Sequence, residues 1–351
     1  MAHLPSTSTS TDDLLLRPVA ASDLDALQTL AAAAAPGIGS LRNDRAGLRR
    51  RIEQSLQGFA TDDEDTSSEE SYLFVLQQSG AGAGGRLLGC AGITARAGFG
   101  SRFYSYRNEF VVASSQGLGL THRTHTLHLS HDLTGSTLLT AFYIVPEAPP
   151  AAAQLLSRGR LLFLALHAQR FSERIVAEFP GSLDADGASP FWDAVGRRFF
   201  GMDYPQAEAL AGGRSKAFIA DLMPQSPLYV PLLPEAAQRA IGQLHPDGLV
   251  PFQILLDEGF DADSYIDIFD GGPTAEGRLQ ALHSVRAARP LSEWARLASI
   301  TAGGTPALLA CTRQRDGFCA RLIAAAPPIA DAIKALGADA LATPLLLPEA
   351  E

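Results

Sequence analysis

Between Leu138 and Phe179 the chain reads strand, long helix, strand, and that succession narrows the possible folds more than any other feature. Leu138 to Val145 (LLTAFYIV) is a short apolar run rich in β-formers. Ala151 to Arg170 is rich in alanine and leucine, and Leu155, Leu162 and Leu166 fall on one buried stripe at helical spacing. Arg174 to Phe179 (RIVAEF) is again an apolar strand. A sheet that carries such a helix on its face belongs to the mixed α/β class.

The rest of the chain supports a central sheet with flanking helices. Leu14 to Val19 predicts a strand stopped near Pro18. Ser22-Asp23-Leu24-Asp25 marks a helix start, with Leu24, Leu27 and Leu30 on one face and Pro36-Gly37 as its limit. Arg42 to Arg51 lies in a second expected helix. Tyr72 to Leu76 and Leu87 to Ala95 predict a hairpin across the glycine-rich turn at 80–85. Those glycines lack a following Lys-Ser/Thr and a helix, so they make a poor phosphate loop. Pro190 to Phe200, Pro234 to Leu244 and Phe252 to Glu258 predict helices, and Lys216 to Leu222 and Tyr265 to Phe269 predict strands. From Pro290 the expectation is a β-rich region, with strands near Ala307–Ala310 and Ala320–Ala325 and a small helix near Ala330–Leu336. The expected organisation is a polar tail over 1–12, an α/β domain over 13–200, a second α/β part over 201–289 and the β-rich region over 290–351.

Charge and cysteine usage remove several classes. A formal net charge of -10 disfavours a nucleic-acid partner, which needs a basic stripe. Cys90, Cys311 and Cys319 give no disulfide framework and no zinc ligand set. No apolar run has the length of a membrane span, and the Ser/Thr-rich start does not read as a secretory signal, so a cytoplasmic location is expected.

Four motifs occur in order: His131-Asp132-Leu133-Thr134-Gly135-Ser136, the Ser189 to Phe200 stretch (SPFWDAVGRRFF), Gly242-Gln243-Leu244-His245-Pro246, and the Tyr265 to Pro273 stretch (YIDIFDGGP). Together, over about Leu14 to Arg289, they resemble the arginine N-succinyltransferase family. Ser157 to Phe163 and Tyr229 to Pro234 are most similar to the α subunit of its two-subunit type. The resemblance implies an N-acetyltransferase-like (GNAT-related) fold. It implies transfer of succinyl from succinyl-CoA to the α-amine of L-arginine, or of L-ornithine, with a homologous β subunit or a second copy as partner. Succinyl-CoA is then a co-substrate, and no permanently bound cofactor or metal is expected. Alternatives are a subunit that only supports a catalytic partner, or an acyltransferase with another acyl-CoA or amine. Acetyltransferase-like folds wrap the pyrophosphate in a glycine-rich loop. Here the equivalent stretch is Pro146 to Ala153 (PEAPPAAA), without glycine or cation, and Pro149 and Pro150 each remove an N–H donor.

Such a reaction needs a neutral amine, a base, donors for an oxyanion and a proton for the thiolate. His245 is the first candidate for the base or a substrate contact, set against a helix-capping role. His131 and Asp132 are an alternative acid–base pair, or simply a loop support. Asp267, Asp270 and Glu109 are candidates for the substrate guanidinium and Arg107 for a carboxylate. Asp267 alternates with Ile266 and Ile268 and so is expected on the opposite face. Ser157, Arg158 and Arg160, with the amides of Ala151 and Ala152, are candidates for the cofactor phosphates. His122, His125, His128 and His131 lie three apart; a helix would align them and a strand would not, and the chemistry needs no metal.

Overall fold

The computed structural model describes residues 13–34, 41, 43–62, 70–79, 85–98, 102–211, 222–223, 225–300, 308–323 and 328–345. The expected tail over 1–12, the glycines at 80, 82 and 84, most of the acidic run, and the expected strand at Lys216–Leu222 except its last residue lie outside them.

In chain order the elements begin with β1 (Leu14–Pro18), α1 (Leu24–Ala33), α2 (Arg45–Ala60), β2 (Ser71–Gln78) and β3 (Arg86–Thr94). A long ribbon follows, β4 (Ser105–Ser115) and β5 (Leu120–Ser130), then β6 (Thr137–Ile144), α3 (Pro150–Leu166) and β7 (Arg174–Glu178). Next come α4 (Pro190–Ala194), α5 (Gly196–Phe200), α6 (Tyr204–Ala211), β8 (Leu228–Tyr229), α7 (Glu235–Ala240), α8 (Leu249–Asp257), β9 (Asp261–Ile266) and β10 (Pro273–Arg278). The chain closes with α9 (His283–Ala287), β11 (Arg289–Pro290), α10 (Leu291–Ile300), β12 (Leu308–Cys311), β13 (Ala320–Ile323), α11 (Pro328–Leu336) and β14 (Leu341–Pro344).

One 14-stranded sheet links them, in the order β11-β14-β12-β13-β1-β2-β3-β6-β7-β10-β9-β4-β5-β8. It is a mixed α/β fold on a mostly antiparallel sheet. Among the described residues the one parallel pair is β6 with β7, because α3 carries the chain back to the same end of the sheet. β2 and β3 are covered on both faces, so Tyr72 to Leu76 and Leu87 to Ile93 are buried without alternation. The main core packs Leu27, Ile52 and Phe59 of the first helices and Leu155, Leu162 and Phe163 of α3 against these strands. Gly159 lets α3 approach β1: a Cβ there would lie 2.3 Å from Leu16 Cδ2. A second core sets Phe191 and Trp192 against Tyr106, Leu127 and Ile266, and a third joins Leu291, Leu308 and Ile323.

Several expected boundaries change. The 190–200 helix is two short helices, broken at Val195 (φ -114, ψ -77) where Gly196 packs against the Trp192 ring. The long helix ends at Leu166 rather than Arg170. The histidine-rich segment is the strand β5, since it pairs along its length with β4. The strand expected to end at Phe269 stops at Ile266. No described helix is long and apolar enough to cross a membrane.

Candidate functional site at the fork of the central strands

β6 and β7 pair from Thr137↔Ile175 to Leu139↔Ala177, and there the ladder ends. On its other edge β6 carries a bulge: Ala141 and Phe142 together oppose Ala91 of β3. Ala141 holds φ 51, a left-handed conformation that alanine adopts only under constraint. A bulge bends its strand and sharpens the twist. The two strands therefore form a fork, with Thr140 to Ile144 on one side and Glu178 to Gly181 on the other.

His245 stands on the β7 side of the fork. Its backbone N–H donates to Pro180 O at 2.9 Å, and Leu244 bridges Gly181. The side chain is 26% exposed. Nδ1 accepts the Asp247 N–H at 3.3 Å and so caps the start of the turn Pro246–Gly248. The expected cap at a helix C-terminus is replaced by this N-terminal one, because Pro246 begins a new turn. Asp247 Oδ2 also lies 3.5 Å from Nδ1, so the ring can either accept the amide there, with its proton on Nε2, or give a proton to the carboxylate. Across the fork, burial raises the Tyr143 phenol above its ordinary pKa, with Glu147, Cys90 and Asp247 adding to the effect.

The first turn of α3 ends the fork. Pro149 is its N-cap and Pro150 its first residue. Ala152 donates its N–H to Pro149 O at 2.8 Å, which removes that amide from the candidate phosphate donors, and both Ala151 and Ala152 are buried. A backbone hydrogen bond, with the Arg86 ion pair next, holds the Glu147 carboxyl below the ordinary range.

Ser157, Arg158 and Arg160 are buried inside the protein and do not face that turn. Arg158 Nε donates to Glu258 Oε1 at 2.5 Å, and Glu258 also accepts Ser284 N–H at 2.8 Å and its hydroxyl at 2.6 Å. Arg160 Nη1 donates to Gly92 O at 3.2 Å and Thr140 O at 3.4 Å. Burial pushes the Arg160 pKa down to about 9. The expected role of these cations at the cofactor phosphates is corrected: their partners are protein groups in the core.

Beside the fork, one sheet face carries a lateral row of register partners: Glu178, Thr274, Tyr265, Arg107 and His128. With strands about 4.8 Å apart the row is about 19 Å long. Around its far half, Arg107 meets Glu109 at 3.1 Å and Asp132 at 2.9 Å. Arg174 Nε donates to Glu276 Oε2 at 2.7 Å and Nη2 to the Tyr265 hydroxyl at 3.3 Å. That hydroxyl lies 3.5 Å from Asp132 Oδ2. His128 Nε2 is 3.8 Å from Glu109 Oε2. The Glu109 hydrogen bond, ahead of the Asp132 charge and against some desolvation, raises the Arg107 pKa. The sequence had singled out Arg107, Glu109 and Asp132, and the structure brings them together. Glu178, Arg174, Tyr265 and Glu276 were not singled out as site residues; the charged residues Arg174 and Glu178 at the two ends of an otherwise apolar, buried strand were the available signal.

The other expected residues lie elsewhere. His131 is exposed beside Tyr104, with ring centroids 6.2 Å apart. His125 stacks on Phe110 at 4.8 Å. No group of potential metal ligands occurs among the described residues. Asp267 and Asp270 are both buried. Asp267 Oδ1 accepts Phe269 N–H at 2.6 Å. Asp270 accepts Gly272 N–H at 2.8 Å, Gly181 N–H at 2.9 Å and the Tyr204 hydroxyl at 3.3 Å. The expectation that Asp267 faces away from Ile266 and Ile268 fails because β9 has ended; all three are buried in the turn.

A family model described as arginine N-succinyltransferase beta subunit matches residues 14–284. Arginine N-succinyltransferase subunit alpha of Pseudomonas aeruginosa is 48% identical over 277 residues, 79% of this chain and 81% of that one. Arginine N-succinyltransferase of Salmonella schwarzengrund is 38% identical over 314 residues, 89% of each chain. The solved structure of arginine/ornithine succinyltransferase subunit AI from Pseudomonas aeruginosa matches with a TM-score of 0.79 at 39% identity, covering 94% of this chain and 98% of that one.

Proposed function

The chain belongs to the arginine N-succinyltransferase family, and from that premise we propose that it transfers succinyl from succinyl-CoA to the α-amine of arginine at the fork between β6 and β7. The fork is the observation that carries the reading. There a thioester can lie against strand backbone, with α3 beginning at one end and His245 on one wall. This arrangement also supports an acetyltransferase-like reading of the fold.

The chemistry divides among a few groups. The amine nitrogen attacks the thioester carbon, the C–S bond breaks, and the amine loses a proton. Glu178, the first β7 residue past the paired segment, is placed to take that proton directly or through water. His245, with Nδ1 turned to Asp247, gives a proton from Nε2–H to the leaving thiolate. This reassigns His245 from base to acid. Amides of β6 beyond Leu139, no longer paired to β7, face the developing oxyanion.

The amine acceptor lies along the polar row. Arg107 and Arg174 face Glu109, Asp132 and Glu276, two cations against three carboxylates, which leaves one negative charge for a guanidinium. An ornithine ammonium offers the same charge with fewer donors. Cofactor phosphates reach the first turn of α3, whose prolines supply few donors, so the chain works with a homologous subunit or a second copy. The relatives named as alpha and beta subunits support that part of the reading.

The test is titration of the purified chain with succinyl-CoA by calorimetry, then thiol release on adding arginine, for the native protein and His245→Ala. The expected result is binding by both and a fall in kcat on the order of 10²-fold or more in the variant. Undiminished kcat in His245→Ala would remove the proton donor from the mechanism. Absence of binding by the chain alone, restored by its homologous subunit, would move the cofactor site to the assembly.

A further inference from the structure

We infer that Arg160 is a positioning residue for the transfer step: its guanidinium grips the backbone of both strands at the edge of the β6 bulge and so fixes how the fork presents its amides. The inference rests on the fork being the acyl site.

Gly92 of β3 and Thr140 of β6 are register partners at the edge of the bulge. A bulge interrupts the ladder and leaves carbonyls short of strand donors. Arg160 Nη1 donates to both of these carbonyls, at 3.2 and 3.4 Å, from α3. Its guanidinium also lies 5.4 Å from the Phe142 ring centroid, and Phe142 is one of the two bulged residues. One side chain thus touches the residue before the bulge, a residue within it and the strand opposite.

A second guanidinium acts on the same residue. Arg51 of α2 donates to Thr140 Oγ1 at 2.9 Å. Thr140 is therefore held by its carbonyl from α3 and by its hydroxyl from α2. The position matters because Leu139 is the last β6 residue paired with β7 and Ala141 carries the left-handed φ. Gly92 leaves room for this arrangement: a Cβ there would lie 2.6 Å from Thr140 Oγ1 and 2.9 Å from Arg51 Nη2.

Energetics set this clamp apart from ordinary packing. Arg160 is 2% exposed, and among the described residues its hydrogen bonds go to carbonyls rather than to a carboxylate. Holding a cation there carries a desolvation cost that an apolar side chain of similar volume would not. A leucine or methionine on this helix face would serve burial alone. One guanidinium nitrogen that meets both carbonyls while the planar group lies over the Phe142 ring serves the bulge, and lysine reproduces that combination only in part.

The test uses Arg160→Met, Arg160→Lys and Thr140→Val in the full chain, with its homologous subunit if the native protein requires it. Thiol release gives kcat and both KM values, calorimetry gives succinyl-CoA affinity, and melting gives stability. The expected result is a fall in kcat on the order of 10²-fold for Arg160→Met, the scale of a small misplacement of reacting groups. Arg160→Lys should recover part of the loss, Thr140→Val should lose about tenfold, and succinyl-CoA affinity should change by less than about threefold. Melting temperatures that fall while kcat per folded molecule stays native would overturn the inference and make the clamp purely structural. If Arg160→Met does not fold, Thr140→Val decides: native kcat in that variant rejects the clamp. Native kcat in His245→Ala would separately remove the proton donor of the proposed reaction and leave the clamp's own readouts in place.

Discussion

The turn from Asp267 to Pro273 and the network from Arg107 to Glu276 both set carboxylates against hydrogen-bond donors, and they differ in what the donors are. Among the described residues, the donors at the turn include backbone amides and the buried Tyr204 phenol. Burial, with the Asp270 charge next, raises the Tyr204 pKa far above its ordinary value, so the phenol stays protonated and donates. In the network the donors are guanidinium groups on side chains between a quarter and two-fifths exposed, and the charges do not cancel. Buried bonds to the main chain fix the geometry of a turn. A half-open set of charges on a sheet face costs less to rearrange and retains attraction for a cation.

The sharpest way to break the contrast is Asp270→Ala. It strands the amides of Gly181 and Gly272 and the Tyr204 hydroxyl, and each buried donor left unpaired costs about 1–3 kcal/mol. The expected loss is about 3 kcal/mol or more, read as a shift in the urea midpoint with unchanged slope. Gly181 bridges Leu244, next to His245, so kcat should fall with stability. A variant of native stability with only a raised arginine KM would restore Asp270 to the substrate site.

The opposite behaviour is expected for Glu276→Gln. The side chain is 24% exposed, and its ion pair with Arg174 is the half-exposed kind worth about 0–1 kcal/mol. Stability should move by less than about 1 kcal/mol. Removing one of three carboxylates cancels the excess negative charge, so the arginine KM should rise about tenfold while succinyl-CoA affinity holds. A neutral acceptor with the same amine should lose much less. A KM unchanged for arginine would separate the network from the substrate.

The difference between these clusters also marks what was legible in the sequence. β2, β3, β6 and α3 could be read because burial on both faces, or on a broad stripe, leaves a composition signal within the segment itself. The Asp267 turn misled for a local reason. Alternation of Ile266, Asp267 and Ile268 predicts two faces only if the strand continues, and the Asp267 N–H instead closes a turn onto Gly272 O at 2.8 Å. Arg158 misled for a distant one: its partner Glu258 lies 100 positions away and nothing near either residue announces the other. Glu109, Arg107 and Asp132 were visible as charged residues near motifs. Arg174, Tyr265 and Glu276 join them only through the register of four strands.

Tyr265→Phe is the finest probe of the contrast, because it removes a hydroxyl and leaves the ring. The hydroxyl receives Arg174 Nη2 at 3.3 Å and reaches Asp132 Oδ2 at 3.5 Å, both long for hydrogen bonds. The ring packs with Leu133 and Val176 and lies 5.4 Å from the Arg174 guanidinium carbon, contacts that phenylalanine keeps. Stability should therefore change by less than about 0.5 kcal/mol. The hydroxyl is nevertheless the side-chain bridge between the Arg107–Asp132 pair and the Arg174–Glu276 pair among the described residues, beside the main-chain one from Arg174 Nη1 to Asp132 O at 3.3 Å. If those pairs act on the substrate as one unit, its loss should raise the arginine KM about two- to threefold. The Tyr265→Phe and Glu276→Gln effects should then combine to less than their sum. Strict additivity would divide the network into two independent ion pairs, only one of which meets the guanidinium.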